Sequence, residues 1–224
     1  MTSTQIPSNQ ISALILAGGR AQRMDGCDKG LVSLHGQPMI CHVIESLKPQ
    51  LELIRINANR NQSAYAALAQ DLRKPQTRNL RESDTETTTG AAFAVVGDNL
   101  QDFQGPLAGI AAGLQHCPTE WMLIAPCDTP FLPADLVERL RQKAEREQAE
   151  IVVAHDGKRL QPVVALLQRR LLPSLLAYLE QGERKIDRWY AKHHHQRVDF
   201  SDQPEAFLNI NTLTEKQLLE NQVV

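Results

Sequence analysis

Short apolar runs alternate along the chain with longer stretches in which apolar residues return every three or four positions. Ser12–Ala17 is short, almost wholly apolar and stopped by Gly18-Gly19, which predicts a buried strand. Leu51–Ile56, Phe93–Val96 and Trp121–Ala125 have the same form. Ile151–Ala154 and Val163–Leu167 flank the polar segment His155-Asp156-Gly157-Lys158-Arg159 and predict a hairpin, or a strand pair around an active-site loop. Arg197–Phe200 is a last strand candidate. Ile40, Val43, Ile44 and Leu47 share one helical face, in a helix opened by Pro38 and closed by Pro49. Further helices are expected from Ser63 to about Leu72, after Gly105-Pro106-Leu107-Ala108-Gly109 to about His116, over Pro133–Gln148, over Leu171–Gln181, and after Asn209-Ile210-Asn211 with Thr212 or Thr214 as cap.

This alternation predicts an α/β fold, a Rossmann-like, mostly parallel sheet with helices on both faces. Right-handed crossovers then set the strand carboxyl ends on one side, where open α/β sheets bind ligands. Gly18-Gly19, Asn57, Asp98 and Asp128 all follow predicted strands, so four distant segments are expected at one crevice. Residues 1–10 read as a loose leader and 11–224 as a single domain. Residues 74–90 hold one large apolar residue, Leu80, too little to offset the entropy of ordering, and read as a mobile surface insert.

Composition narrows the function. At 42% hydrophobic the chain can bury a core, and its net charge of -2 gives no electrostatic footprint for nucleic acid or an anionic membrane. The four cysteines form no C-x-x-C pair, which fits a reducing cytoplasm. The first ten residues lack the apolar core of a signal peptide, and no apolar run approaches the ~20 residues of a membrane span.

The candidate chemistry starts in the loop after the first strand. Its glycines, Gly18, Gly19, Gly26 and Gly30, let backbone N–H groups close on an anion. Arg23 and Lys29 add the charge that a polyphosphate requires. The spacing matches neither a P-loop nor the dinucleotide fingerprint. Leu16-Ala17-Gly18-Gly19, Arg23-Met24, Gly26 and Lys29 instead resemble the signature loop of nucleotidyltransferases that activate a sugar or cofactor phosphate with an NTP. Asp128, after five apolar residues and Pro126-Cys127, is the Mg²⁺ candidate, because magnesium is held by one or two carboxylates plus substrate phosphates; a turn or cap before Thr129-Pro130 is the competing use. Asp98 suits a nucleotide contact, steering of the metal, or a turn. Asn57 and Asn59 suit a base or ribose edge, or a turn. Asn209 and Asn211 suit a pyrophosphate or metal water, or a helix cap. His193-His194-His195 cannot share a face of one element and read as a solvated loop.

The ordered set is similar to the molybdenum cofactor guanylyltransferase family over nearly the whole chain. It comprises the first loop with Asp28-Lys29-Gly30, then Asn57-Ala58-Asn59-Arg60, Gly105-Pro106-Leu107-Ala108-Gly109 and Pro126-Cys127-Asp128-Thr129-Pro130. His155-Asp156-Gly157, Gly182-Glu183-Arg184 and Asn209-Ile210-Asn211-Thr212 complete it. The resemblance implies a cytoplasmic enzyme of the nucleotidyltransferase fold that joins GMP from GTP to molybdenum-loaded molybdopterin and releases pyrophosphate. It implies GTP contacts from Leu16, Ala17, Gly18, Gly19, Lys29, Asn57, Asp98 and Asp128, with Asp128 also on Mg²⁺ and with Arg23, Lys29 and Asp128 catalytic. It sets His155, Asp156, Arg159, Arg184, Asn209 and Asn211 toward the pterin. Cofactor-insertion proteins and recipient molybdoenzymes are the partners it implies. Two departures from the family pattern stand out: Asp25, where glycine is usual, and the longer insert at 74–90. A cytidylyl or sugar-phosphate nucleotidyltransferase shares the first loop, and a non-catalytic GTP-binding assembly module is the alternative of another class.

Overall fold

The computed structural model describes residues 5–17, 28–73, 92–97 and 105–221. Its elements in chain order are β1 (Ile11–Leu16), β2 (Ser33–Leu34), β3 (Gln37–Pro38), α1 (Met39–Leu47), β4 (Leu53–Asn57), α2 (Gln62–Arg73) and β5 (Ala92–Val96). There follow α3 (Pro106–Gln115), β6 (Trp121–Pro126), α4 (Leu136–Glu147), β7 (Ile151–His155), β8 (Leu160–Gln168), α5 (Leu172–Glu180), α6 (Ile186–Tyr190), β9 (His195–Asp199) and α7 (Leu213–Asn221).

Seven strands form one sheet in the order β5-β4-β1-β6-β8-β7-β9. Neighbours are parallel on both sides of β1, between β4 and β5, and between β7 and β9; only β8 runs against the rest. The two runs flanking His155–Arg159 are indeed adjacent antiparallel strands, with a register shift between Val153 and Ala154. Consecutive strand residues point to opposite faces, and each face has its own core. Ile11, Ala13 and Ile15 of β1 join Leu123 and Ala125 of β6 under α1, α2 and α4. Leu14 joins Met122 and Ile124 under α3, α5 and α6. The expected sheet with helices on both faces is the one observed. Helix α6 was not foreseen, because its five residues are too short to show a 3.6-residue period. Among the described residues no helix is long and apolar enough to cross a membrane.

Two expectations need correction. The leader is docked at Ile6 rather than loose throughout: the Ile6 N–H donates to Glu145 Oε1 at 2.6 Å, and Ile6 packs on the core beside α4. His193, expected in a solvated loop, is largely buried. Its ring meets Trp189 edge-on at 5.4 Å, and its Nε2 lies 2.9 Å from Ser174 Oγ. The packing surface is supplied by α6, the element that periodicity did not reveal. The insert at 74–90 lies outside the described residues.

Candidate functional site

The crevice is built at the carboxyl edge of the sheet, which backbone hydrogen bonds extend one residue past the strands. Ala17 N–H donates to Asn57 O at 2.8 Å, Ala58 N–H to Val96 O at 3.0 Å and Cys127 N–H to Leu16 O at 3.1 Å. Leu16 and Ala17 therefore lie level with the ends of β4, β5 and β6. Asn57 is 2% exposed, and its amide donates to Val96 O at 3.3 Å beneath that edge. A Cβ on Gly109 of α3 would stand 2.4 Å from Asn57 Oδ1, so this glycine is what lets the helix close over the asparagine. Gly18, Gly19, Arg23 and Asp98 lie outside the described residues.

Lys29 is the hub. Its Nζ lies 3.2 Å from Asp128 Oδ2 and donates to Asn211 Oδ1 at 2.6 Å. These partners stand 99 and 182 residues away in sequence. Residues 209–211 reach this point because they run beside residues 128 and 129. Ile210 N–H donates to Asp128 O at 3.0 Å, and Thr129 Oγ1 bonds Asn209 Oδ1 at 2.8 Å. The Ile210 side chain anchors the segment in a small core with Leu34 and Met39. That core is capped by the β2–β3 hairpin, whose turn places His35 and Gly36 at φ 48° and 83°. Glu215 accepts from the N–H groups of Asn211 and Thr212 at 2.7 and 3.0 Å, and Thr212 Oγ1 accepts from Glu215 N–H at 3.1 Å. This capping box holds Asn211 in place at the start of α7.

Behind Lys29, Asp28 is gripped by the start of α2. Oδ1 accepts from Tyr65 Oη at 2.5 Å and from Gly30 N–H at 3.3 Å, while Oδ2 accepts from Asn61 Nδ2 at 3.1 Å. Tyr65 has no exposed surface. Burial first, then its bond to Asp28, push its phenol above the ordinary range and keep it a donor. Sequence reasoning missed Tyr65 and Asn61. One looked like an ordinary buried helix position and the other like a turn residue; no local signal tied either to Asp28.

The segments set toward the pterin are more dispersed. His155 ends β7 and Leu160 begins β8, so the loop between them stands on the same sheet edge as Asp128. Asp156 accepts from the N–H groups of Lys158 and Arg159 and from Gln161 Nε2, at 2.8, 2.7 and 2.7 Å. Burial opposes ionisation, but these donors outweigh it and hold its carboxyl below the usual range. Asp156 thus shapes the loop, His155 Nδ1 accepts from Gly157 N–H at 3.0 Å, and Arg159 is exposed. Arg184 sits in the turn between α5 and α6, on the other layer of helices, donating to Leu179 O and Glu183 O at 2.9 and 2.7 Å. Of the six, Asn209 and Asn211 are brought to Lys29 and Asp128.

Beneath the site, Cys127 is a buried thiol. Burial first, then the charges of Asp128 and Asp28, raise it beyond the ordinary range, so it is neutral and unsuited to metal binding or attack. Among the described residues no three His, Cys, Asp or Glu side chains cluster as a ligand set. What converges is the Asp128 carboxylate and the Asn211 amide oxygen, already gathered around one ammonium. Such a sparse, all-oxygen set fits a hard ion such as Mg²⁺, whose remaining ligands are phosphates and water, and does not fit zinc.

The family model described as a MobA-like NTP transferase domain matches residues 13–198. A Shewanella sediminis protein named molybdenum cofactor guanylyltransferase is 47% identical over 96% of this chain and 98% of its own length. A Shewanella pealeana protein of the same name is 48% identical over 94% of each chain. Among solved structures, molybdopterin-guanine dinucleotide biosynthesis protein A from Archaeoglobus fulgidus superposes with a TM-score of 0.69 at 22% identity, covering 94% of this chain and 97% of its own. A 4-diphosphocytidyl-2C-methyl-D-erythritol synthase from Anaerococcus prevotii shares the fold at a TM-score of 0.66 and 11% identity, covering 97% of this chain and 99% of its own.

Proposed function

The chain belongs to the MobA-like NTP transferase family and is a nucleotidyltransferase; on that footing we propose that it transfers GMP from GTP to the terminal phosphate of molybdenum-loaded molybdopterin, releasing pyrophosphate. The named relatives, alike over nearly their whole length, support the substrate pair. The observation that carries the reading is the Lys29 ammonium held between Asp128 and Asn211 at the mouth of the sheet.

In this reading a pterin phosphate oxygen attacks the α-phosphorus of GTP, one P–O bond forms, and the bond to pyrophosphate breaks. No nucleophile from the chain is required. Its work is to position two phosphates and neutralise charge, which is what phosphoryl transfer chiefly demands. Lys29 and Arg23, with the amides of the glycine loop, stabilise the departing pyrophosphate. Asp128 would hold Mg²⁺, which when bound neutralises charge on the phosphate oxygens. The β7–β8 loop with Arg159, the turn carrying Arg184, and Asn209 face the acceptor side.

The test is selectivity. The protein, Mg²⁺ and molybdenum-loaded pterin are given each of the four NTPs in turn, and pyrophosphate and dinucleotide are measured. Product with GTP and little with the others is expected. Preferential product with CTP would keep the fold and the mechanism and overturn the substrate. GTP binding without pyrophosphate release would favour a non-catalytic role.

A further inference from the structure

The grip of α2 on Asp28 is not needed to close the fold. Tyr65 would be buried as well without its hydroxyl, and Asp28 is only partly buried. Yet both oxygens of Asp28 are held by one short piece of chain, Tyr65 on Oδ1 and Asn61 on Oδ2. Asn61 adopts φ 49° directly before α2, which turns its amide toward Asp28. A Cβ on Gly30 would stand 2.6 Å from Tyr65 Oη and 3.4 Å from Cys127 Cβ. The backbone of residues 28–30 is thus pinched between the start of α2 and the end of β6. Lys29 begins the single 3-10 turn that Asp28 caps, and its side chain leaves toward Asp128 and Asn211.

We propose that Tyr65, acting through Asp28, is a positioning residue that sets the Lys29 ammonium for nucleotide phosphate. This rests on the assignment of Lys29 to phosphate made above. The phenol and the amide fix the carboxylate, the carboxylate fixes the turn, and the turn fixes where the lysine side chain starts. A charge misplaced by about 1 Å loses up to ~10²-fold in effect, so the clamp is worth more to function than to folding.

The test is a double-mutant cycle read by GTP affinity, titrated calorimetrically on the full chain, with melting temperature as the control. Tyr65→Phe keeps the buried ring and removes the hydroxyl. It is expected to weaken GTP binding about 10-fold or more when Lys29 is present, and less than about twofold in a Lys29→Ala background. Asp28→Ala, which leaves the core untouched, is expected to give the same pattern, and it stands in if Tyr65→Phe does not fold. Equal losses in both backgrounds would make the clamp merely structural and overturn the proposal. So would unchanged affinity in both variants. Unchanged affinity in Lys29→Ala itself would instead remove the phosphate assignment, and the clamp with it.

Discussion

One ammonium group, that of Lys29, joins three regions of the chain, and Asp128 is its ion-pair partner. Asp128 was open to two readings, a metal ligand or a turn cap. In the structure its side chain faces Lys29, while its carbonyl accepts from Ile210. A partly exposed pair of this kind contributes about 0–1 kcal/mol to stability, so its value must lie in function. Asp128→Ala is expected to leave melting within a few degrees and to lower Mg²⁺-dependent pyrophosphate release about 10²-fold or more. A magnesium titration of both proteins checks this; retained turnover with the same magnesium dependence would make the aspartate a structural residue. Asn57 carries a second lesson at this scale. Its amide was open to a base or ribose edge or to a turn; in the structure it donates to Val96 O and lies under Gly109.

At the scale of elements, α7 matters most, since it holds Asn211 in place from beyond the matched family region. Thr212 proves to be the cap, and Glu215 completes the box. Glu215→Ala is expected to cost about 1 kcal/mol at this helix start and to speed hydrogen exchange at the amides of Asn211 and Thr212. Accepting from Asn211 N–H, more than anything else, lowers the Glu215 pKa from its ordinary 4.5. The box is therefore intact above that value and is lost as pH falls through the lower folded value. Exchange at these two amides should accelerate on acidification in the parent protein and be insensitive to pH in that range, beyond its intrinsic dependence, in Glu215→Ala.

For the molecule as a whole, the two cores bury several groups that ionise only at high pH. Burial, helped by nearby Glu45, pushes Cys41 up to about 11, and burial moves Cys127, Tyr65 and Tyr190 higher still. An unfolded chain releases these protons near pH ~8.5–10. There the unfolded state binds fewer protons than the folded one, so stability falls as pH rises. Urea midpoints are expected to stay level to about pH 8.5 and to decline above it, with Cys41→Ala removing the earliest part of the decline. A midpoint unchanged up to pH 11 would contradict this.

The chain's sequence by itself determined the alternation of strands and helices, because burial of one face leaves a period of two or 3.6 residues in any amphipathic element. It also determined where the strands stop, through Gly18-Gly19 and Pro126, and hence that Asp128 and the first loop share an edge. Tertiary structure alone decided which polar groups meet there. Lys29 finds Asp128 and Asn211 across 99 and 182 residues because Ile210 is buried against Leu34 and Met39. Tyr65 reaches Asp28 because α2 packs beside β5 and delivers its first turn to the crevice. Period reports which side of an element is buried; it does not carry the register between distant elements, and hydrogen bonds over 2.5–3.2 Å depend on that register.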